Sequence, residues 1–123
     1  LLHGDQLLLC PMLDARRMEV YAGFYTTKNS LFREVSADII EGDSYNKILE
    51  SHPVCFFGNG AEKCRAVLDH SHAHFLDGIN PSATSMIFPA LKRYNQKQFE
   101  DVAYFEPFYL KDFIATVPKK KVL

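Results

Sequence analysis

Tryptophan is absent from this 123-residue sequence, and cysteine occurs only three times, at Cys10, Cys55 and Cys64. The odd count and the lack of a CxxC pair do not fit the disulfide framework of a small secreted domain, so we expect reduced thiols. No apolar run approaches the roughly 20 residues that a membrane span requires. The opening residues 1–5 also lack the basic start of a signal peptide. These absences predict a cytoplasmic protein with no membrane partner.

An excess of charge of either sign is also missing. The 14 Lys and Arg residues balance 15 Asp and Glu residues, and 47% of the residues are hydrophobic. Disordered chains have fewer apolar residues, and nucleic-acid-binding chains carry a basic patch, so both classes are excluded. The length predicts a single domain over residues 1–123 with a real core. The lysine-rich residues 115–123 are expected to form a flexible tail.

The first forty residues have strand patterns. Apolar runs at residues 7–13 and 18–27 flank a polar turn, which predicts two strands. The third strand alternates apolar and polar residues, so one of its faces should lie in the core. We expect Val35, Ala37 and Ile39 on the core face and Glu34, Ser36 and Asp38 in solvent. Two antiparallel steps in succession predict a three-stranded meander.

Helices and strands alternate after this meander. Short strands are expected at residues 54–57 and 73–76. The helix before the first of them should turn Tyr45, Ile48 and Leu49 inward, and the helix between them should bury Ala61, Cys64, Val67 and Leu68. The order β-β-β-α-β-α-β-α predicts an α/β protein with a ribonuclease H-like fold, in which helices cover a mixed sheet.

The longest predicted helix begins at Ser82, which can cap it. Pro89 lies inside this helix and removes a backbone hydrogen bond, so we expect a kink near Ser85. Its apolar face is expected to consist of Met86, Ile87, Ala90, Leu91 and Tyr94.

An aromatic segment follows the longest helix, and we expect it to be extended. Its rings could stack on RNA bases, as in RNA-binding modules. We favour packing in the core and against a neighbouring lobe. The rings are those of Phe99, Tyr104, Phe105, Phe108, Tyr109 and Phe113.

The Gly58-Asn59-Gly60 turn joins a predicted strand to a predicted helix, where backbone N–H groups and the helix dipole favour anions. It is shorter than a P-loop and has no following Lys-Ser/Thr pair. Glycine at a tight turn needs no ligand, because a positive φ alone requires it. We therefore favour a plain turn, with nucleotide binding by Gly58, Asn59 and Gly60 as the alternative.

His70, His72 and His74 alternate along the chain, so their imidazoles could converge on zinc or nickel. A metal site also needs fixed geometry and outer hydrogen-bond partners. We favour a His-rich surface loop and predict no metal. Cys55 lies in an apolar strand, where burial raises the thiol pKa and makes it inert. No catalytic triad stands out in the sequence, so no catalytic residue is predicted.

Asp14, Arg16 and Arg17 form a charged turn between the first two strands. Asp14 can accept local backbone N–H bonds, and we favour a structural role in which Asp14 and Arg16 hold the turn or the seam between lobes together. An acid and two bases at a turn can alternatively bind a charged ligand.

Four segments carry a resemblance to a known family. Residues Asp14-Ala15-Arg16-Arg17-Met18-Glu19-Val20-Tyr21 are similar to the DAR-x-x-E-V-Y signature of the TsaB/YeaZ family. Three further segments follow in the family's order: Gly58-Asn59-Gly60, Pro81-Ser82-Ala83, and Pro107-Phe108-Tyr109-Leu110-Lys111, which resembles its closing P-x-Y-L-R. They span almost the whole chain, which resembles the C-terminal half of a two-lobed protein. We therefore expect the chain to begin inside a longer one.

The resemblance implies an actin-like ATPase fold and a non-catalytic scaffold role in tRNA threonylcarbamoyladenosine synthesis at adenosine 37. The implied partners are a TsaD-type catalytic subunit and a TsaE-type ATPase, with tRNA contacted indirectly, and a homodimer is compatible with it. No cofactor is implied for this lobe, whereas ATP or ADP can bind in the full complex. An apolar patch should be exposed where the other lobe packs. The alternatives are a glycoprotease-like metallopeptidase and a nucleotide-binding lobe.

Overall fold

A computed structural model describes residues 6–111 of the chain. Five strands form one sheet in the order β3-β2-β1-β4-β5, in which β1, β2 and β3 are antiparallel neighbours and β1, β4 and β5 run parallel. The α/β class and the mixed sheet with its three-stranded meander are therefore confirmed. The elements are β1 (Leu8–Asp14), β2 (Glu19–Thr26), β3 (Leu31–Ile39), α1 (Asn46–Ser51), β4 (Val54–Phe57), β5 (Ala73–Leu76) and α2 (Ile87–Asn95).

The hydrophobic core lies on one face of this sheet, called here the covered face. Alternate strand residues point to it, because side chains along a strand alternate between the two faces. Leu49 of α1 and the turns around Cys64 and Leu68 pack over it. The largest fully buried side chains on the strands are Leu8, Met12, Val20, Phe24, Val54 and Phe56.

The orientation predicted for β3 is wrong. Asp38 pairs with Val20 and Ser36 with Ala22, and both partners are buried, so the polar residues of β3 lie on the covered face. Ile39, which was expected in the core, is 67% exposed. The polar side chains tolerate this position because Arg33 donates to Ser36 at 2.7 Å and to Asp38 at 2.8 Å.

The opposite face of the sheet, called here the open face, is largely apolar. It carries the strand residues that alternate with the buried ones. Leu13, Ile39 and Leu76 are 46%, 67% and 51% exposed on it. The other residues of the open face include Pro11, Tyr21, Gly23, Tyr25, Val35, Ala37 and Phe57.

The helix predicted between β4 and β5 is replaced by short turns, with a 3-10 helix over Glu62–Cys64 only. Backbone N–H groups here donate to the carbonyl three residues earlier, as in a 3-10 helix. Cys64 N–H donates to the Ala61 carbonyl at 2.9 Å, and Val67 N–H donates to the Cys64 carbonyl at 3.0 Å. The predicted inner residues are correct, since Ala61, Cys64 and Leu68 are buried and Val67 packs against them.

The longest helix begins as a 3-10 turn at Ala83–Met86, capped as predicted by Ser82, whose Oγ accepts from Thr84 N–H at 3.3 Å. The α-helical part starts at Ile87, so Pro89 lies in its first turn and not in its interior. A change from 3-10 to α geometry therefore takes the place of the predicted kink. The apolar face of α2 is not part of the core, because no residue of α2 is buried.

The aromatic segment is not extended at its start. Phe105 N–H donates to the Asp101 carbonyl at 2.8 Å, which closes a turn. Its described rings are exposed, Phe108 by 82% and Tyr109 by 74%, so the predicted core packing is wrong for them. Phe113 and the tail at 115–123 lie outside the described residues. Within residues 6–111, neither helix combines the length and the apolar character needed to cross a bilayer.

Candidate functional site

Three of the four motif segments meet at one end of the sheet, called here the motif end. It comprises Asp14–Tyr21, Gly58–Gly60 and Pro107–Lys111. The parallel pairing of β1 and β4 brings Asp14–Tyr21 and Gly58–Gly60 together, because the C-terminal ends of parallel neighbours lie at the same end of the sheet. Asp14 N–H donates to Asn59 Oδ1 at 2.9 Å, and Gly60 N–H to the Met12 carbonyl at 3.0 Å. The segment Pro81–Ala83 has no contact of this kind with the motif end among the described residues.

Asp14 has the structural role predicted for it. Its carboxylate accepts the Arg16 backbone N–H at 3.1 Å and pairs with the ammonium group of Lys63. The hydrogen bond from Lys63, and then that from Arg16, lowers the pKa of Asp14. Lys63 also donates to the Glu19 carbonyl at 2.7 Å, so it joins both strands of the hairpin. No local sequence pattern indicates Lys63, because its partners Asp14 and Glu19 lie 49 and 44 positions earlier in the chain.

The hairpin turn itself is strained. Arg16 and Arg17 have φ values of 74° and 49°, in the left-handed region that side chains other than glycine avoid. Glu19 N–H donates to the Arg16 carbonyl at 3.0 Å, and Ala15 N–H to the Glu19 carbonyl at 3.1 Å, which hold the turn closed. Both arginine side chains are exposed. The turn therefore presents two cations to solvent, where an anionic partner could reach them.

Glu19 connects the hairpin to the closing segment. Its carboxylate is 17% exposed and pairs with the Lys111 ammonium group, a hydrogen bond that raises the pKa of Lys111. The pair holds residues 108–111 across the open face above Tyr21. A largely apolar cavity of about 420 Å³ lies there, lined by Pro11, Leu13, Tyr21, Gly23, Tyr25, Val35 and residues 108–111. Val20 is fully buried and Pro107 exposed, so neither contributes to the cavity.

The glycine turn is shaped by its close approach to β1. Gly58 has φ +103°, and a Cβ there would lie 2.3 Å from the Met12 carbonyl oxygen. A Cβ at Gly60 would lie 2.8 Å from the Leu13 carbonyl carbon. These contacts account for both glycines without a ligand. The predicted helix dipole is missing, because only a three-residue 3-10 helix follows the turn.

A second cavity, of about 470 Å³, adjoins the same turn at the ends of β4 and β5. Arg65 lies in its wall and is paired with Glu62 at 3.1 Å and with Asp77. The guanidinium carbon also lies 5.1 Å from the centroid of the Phe75 ring. Because two carboxylates already neutralise Arg65, this cavity has little attraction for a phosphate group.

The three histidines do not converge. His72 Nδ1 lies 2.6 Å from the Leu49 carbonyl oxygen, and His72 N–H donates to His70 Nδ1 at 3.0 Å. His74 is exposed on β5. Within the described part of the chain, no group of three or more His, Cys, Asp or Glu side chains could hold a metal ion. The described hydrogen bonds thus give His70 and His72 structural partners.

A half-buried polar cluster on the covered face escaped the sequence prediction. It consists of Arg33, Ser36, Asp38 and Tyr45, and Tyr45 Oη donates to Asp38 at 2.6 Å. Burial raises the pKa of Asp38, but the hydrogen bonds from Ser36, Tyr45 and Arg33 outweigh it, and the pKa lies below its usual value. Burial, and then the Asp38 carboxylate, raise the pKa of Tyr45. The hydrogen bond from Tyr45 to Asp38 therefore links the start of α1 to β3.

Burial raises the pKa of the thiols of Cys10 and Cys64, and also that of Cys55, as predicted. A raised pKa keeps a thiol protonated and unreactive at neutral pH. None of the three cysteines therefore has the environment of a nucleophile.

The chain matches no protein-family model, and no curated protein sequence matches it. Its function is therefore inferred from its residues and their geometry.

Proposed function

We propose that the chain is the C-terminal, ribonuclease H-like lobe of a cytoplasmic TsaB/YeaZ-type scaffold protein. In this role it supports a TsaD-type catalytic subunit and a TsaE-type ATPase during threonylcarbamoylation of adenosine 37 in tRNA. The observation that carries the proposal is the convergence at the motif end. Segments that are up to 92 positions apart in the chain contact one another there, through Asp14 with Asn59 and Glu19 with Lys111.

The sheet supports the fold part of the proposal. An antiparallel meander is followed by β4 and β5, which add in parallel on the far side of β1. This arrangement suits a ribonuclease H-like lobe, in which helices cover a mixed sheet on both faces. Here α1 covers one face, and the open face remains available to a second lobe.

Exposed apolar surface supports the two-lobed part of the proposal. Three apolar side chains of helix α2, Ile87, Phe88 and Leu91, are 55%, 81% and 50% exposed. Monomeric proteins rarely leave neighbouring large apolar side chains in water, so such surfaces mark an interface. The proposal assigns the exposed side of α2 to contact with the first lobe of the scaffold.

A scaffold role also suits the chemistry of the side chains. The cysteine thiols have raised pKa values, and His72 is hydrogen-bonded to a backbone carbonyl. The glycine turn uses its Gly60 N–H within the sheet. These observations favour neither the metallopeptidase nor the nucleotide-binding alternative. Metal analysis of tag-free protein and calorimetry with ATP and ADP test the two alternatives directly.

The proposal is tested by reconstitution. The chain is combined with the first lobe of a TsaB-type protein, TsaD, TsaE, tRNA and threonylcarbamoyl-adenylate, and the modified nucleoside is measured by mass spectrometry of digested tRNA. We expect product only when both lobes are present. Leu91→Glu on α2 should abolish formation of the modified nucleoside by the two lobes together. Val102→Glu, at a 96% exposed position outside α2, should not.

Two results would contradict the proposal. The first is a lack of binding between the two lobes in calorimetry. The second is a bound pair of lobes that gives no product with active TsaD and TsaE, which would mean that the motif segments reflect a shared fold and not a shared function.

A further inference from the structure

Strand β3 lies at one edge of the sheet, and within residues 6–111 its only neighbouring strand is β2. It is nine residues long, whereas β5 at the opposite edge has four. An edge strand leaves half of its backbone N–H and C=O groups unpaired, and proteins usually protect such an edge with a short strand, a lysine or a proline. Residues 31–39 contain neither lysine nor proline. The outer side of β3, called here the β3 edge, is therefore long and lacks these protections.

The pairing of β3 with β2 identifies the backbone groups that point outward. Ile40 N–H donates to the Met18 carbonyl at 2.8 Å, immediately after β3. Because backbone groups alternate between the two sides of an antiparallel strand, those of Asp38 also point towards β2. Those of Ala37 and Ile39 point away from the sheet. The β3 edge thus presents two N–H donors and two C=O acceptors at these two residues.

The second half of β3 is regular enough to accept another strand. The register shifts occur around Phe24 and its partner Arg33, whereas Ser36 to Ile39 pair with β2 without a shift. Arg33 and Asp38 point to the covered face, but they form an ion pair at 2.8 Å. They therefore place no uncompensated charge beside an incoming side chain. On the open face, the 67% exposed side chain of Ile39 offers an apolar contact.

Carboxylates lie at both ends of this regular segment. Glu34 precedes it, Glu41 and Asp43 follow it, and all three are exposed. None of them takes part in an ion pair with another described residue. The stretch 34–43 contains no lysine or arginine. The charge at the β3 edge therefore favours a segment with basic residues at its ends.

We propose that the β3 edge binds an extended basic peptide segment of a partner protein, which adds to the sheet as a further strand. Its backbone exchanges hydrogen bonds with the outward groups of Ala37 and Ile39, the known mode of strand addition. Its alternate apolar side chains extend the open face beside Ile39. Its terminal Lys or Arg side chains meet Glu34 at one end and Glu41 and Asp43 at the other.

The strand addition goes beyond the proposed function and does not rest on it, because it is measured with this chain and a synthetic peptide. The probe is the blocked heptapeptide Lys-Thr-Val-Thr-Val-Thr-Lys, titrated into the isotopically labelled full chain. We expect saturable binding with a dissociation constant below about 1 mM. By NMR, hydrogen exchange at the amides of Ala37 and Ile39 should slow about tenfold or more on binding. The amide of Asp38 is already bonded to β2 and should change less.

Two control peptides separate the contributions of backbone and charge. Replacing both terminal lysines by glutamate keeps the backbone and should weaken binding about tenfold at low salt. N-methylation of the three central residues removes donors from both edges of the peptide and should abolish binding. An N-methylated peptide that binds as tightly as the parent would overturn the proposal, since side chains alone would then account for binding.

A substitution in β3 tests the same contact from the protein side. Ala37→Pro removes an outward N–H and none of the hydrogen bonds to β2, so circular dichroism should show an intact fold. Peptide binding should nevertheless weaken about tenfold or more. Ala37→Val keeps the N–H and should bind as the wild type does. Unchanged binding by folded Ala37→Pro would overturn the proposal.

Two further results would contradict the proposal even if Ala37→Pro did not fold. The first is a lack of saturable binding by the wild-type chain up to about 1 mM peptide. The second is a wild-type dimer in sedimentation equilibrium whose formation protects the amides of Ala37 and Ile39 from exchange. That result would assign the β3 edge to a second copy of the chain and not to a peptide of a partner protein.

Discussion

The backbone N–H of Asp14 donates a hydrogen bond to Asn59 Oδ1 at 2.9 Å, across 45 positions of the chain. Asp14 is the last residue of β1, where the parallel partner strand has already ended at Phe57. The side chain of Asn59 therefore supplies the acceptor that the sheet no longer offers. It fixes the glycine turn to the charged hairpin at the motif end.

Replacement of Asn59 by alanine removes this acceptor. We expect Asn59→Ala to lower the free energy of unfolding by about 0.5–1 kcal/mol, the usual net contribution of one hydrogen bond. Chemical denaturation measures the change. Asn80→Ala, at an exposed position after β5, is the control and should be neutral. Equal effects of the two substitutions would show that the hydrogen bond adds nothing to stability.

Gly58→Ala should be far more damaging. A Cβ at this position meets the Met12 carbonyl oxygen at 2.3 Å, and the φ of +103° is itself unfavourable for alanine. We expect a loss of about 2 kcal/mol or more in the free energy of unfolding. Gly42→Ala is the matched control, since no atom lies within 4 Å of its added Cβ. It should be neutral or slightly stabilising, and a similar loss at both positions would contradict the clash.

Local patterns in the sequence predicted where the strands and helices lie better than they predicted which face of each is buried. Alternation identified β3, but it could not decide which side faces the core. The polar side of β3 is the inner one, and there Arg33 Nη2 pairs with the Asp38 carboxylate at 2.8 Å. For α2, the cap at Ser82 and the apolar period were visible, yet its contacts depend on surfaces that its own sequence does not specify. Local residue preferences determine whether a segment forms a strand or a helix, whereas packing against the rest of the chain determines which of its faces is buried.

The candidate site shows the same division. Asp14 was predicted as an acceptor in a turn because that interaction is local, and its carboxylate does accept the Arg16 N–H. Lys63 reaches Asp14 from a distant segment, and no local pattern indicates such a contact. The convergence of Glu19 with Lys111 likewise depends on the path of the whole chain. Long-range partners require the fold.

His72 and His74 should differ in their effects on stability. His72 Nδ1 lies 2.6 Å from the Leu49 carbonyl oxygen and joins α1 to the start of β5, whereas His74 is exposed. We expect His72→Ala to cost about 1 kcal/mol of unfolding free energy. His74→Ala should change it by less than about 0.5 kcal/mol. Thermal and chemical denaturation measure both. A zinc-dependent rise in melting temperature that either substitution abolished would instead support a metal site.

Acid should weaken the fold through Asp38. Its pKa in the folded protein lies below the ordinary value of 3.8, so the unfolded chain binds a proton at a higher pH than the folded one does. The stabilisation is therefore complete above that ordinary value and is lost as the pH falls below it. At neutral pH, Asp38→Asn should cost about 2 kcal/mol, because it weakens hydrogen bonds to a charged group. When denaturation midpoints are compared, the difference between wild type and variant should stay constant from pH 6 to about pH 4 and shrink as the pH falls below 3.8. Asp43→Asn, at an exposed position, should follow the wild-type pH profile. A difference between wild type and Asp38→Asn that stays constant below pH 3.8 would mean that protonation of Asp38 is not linked to folding.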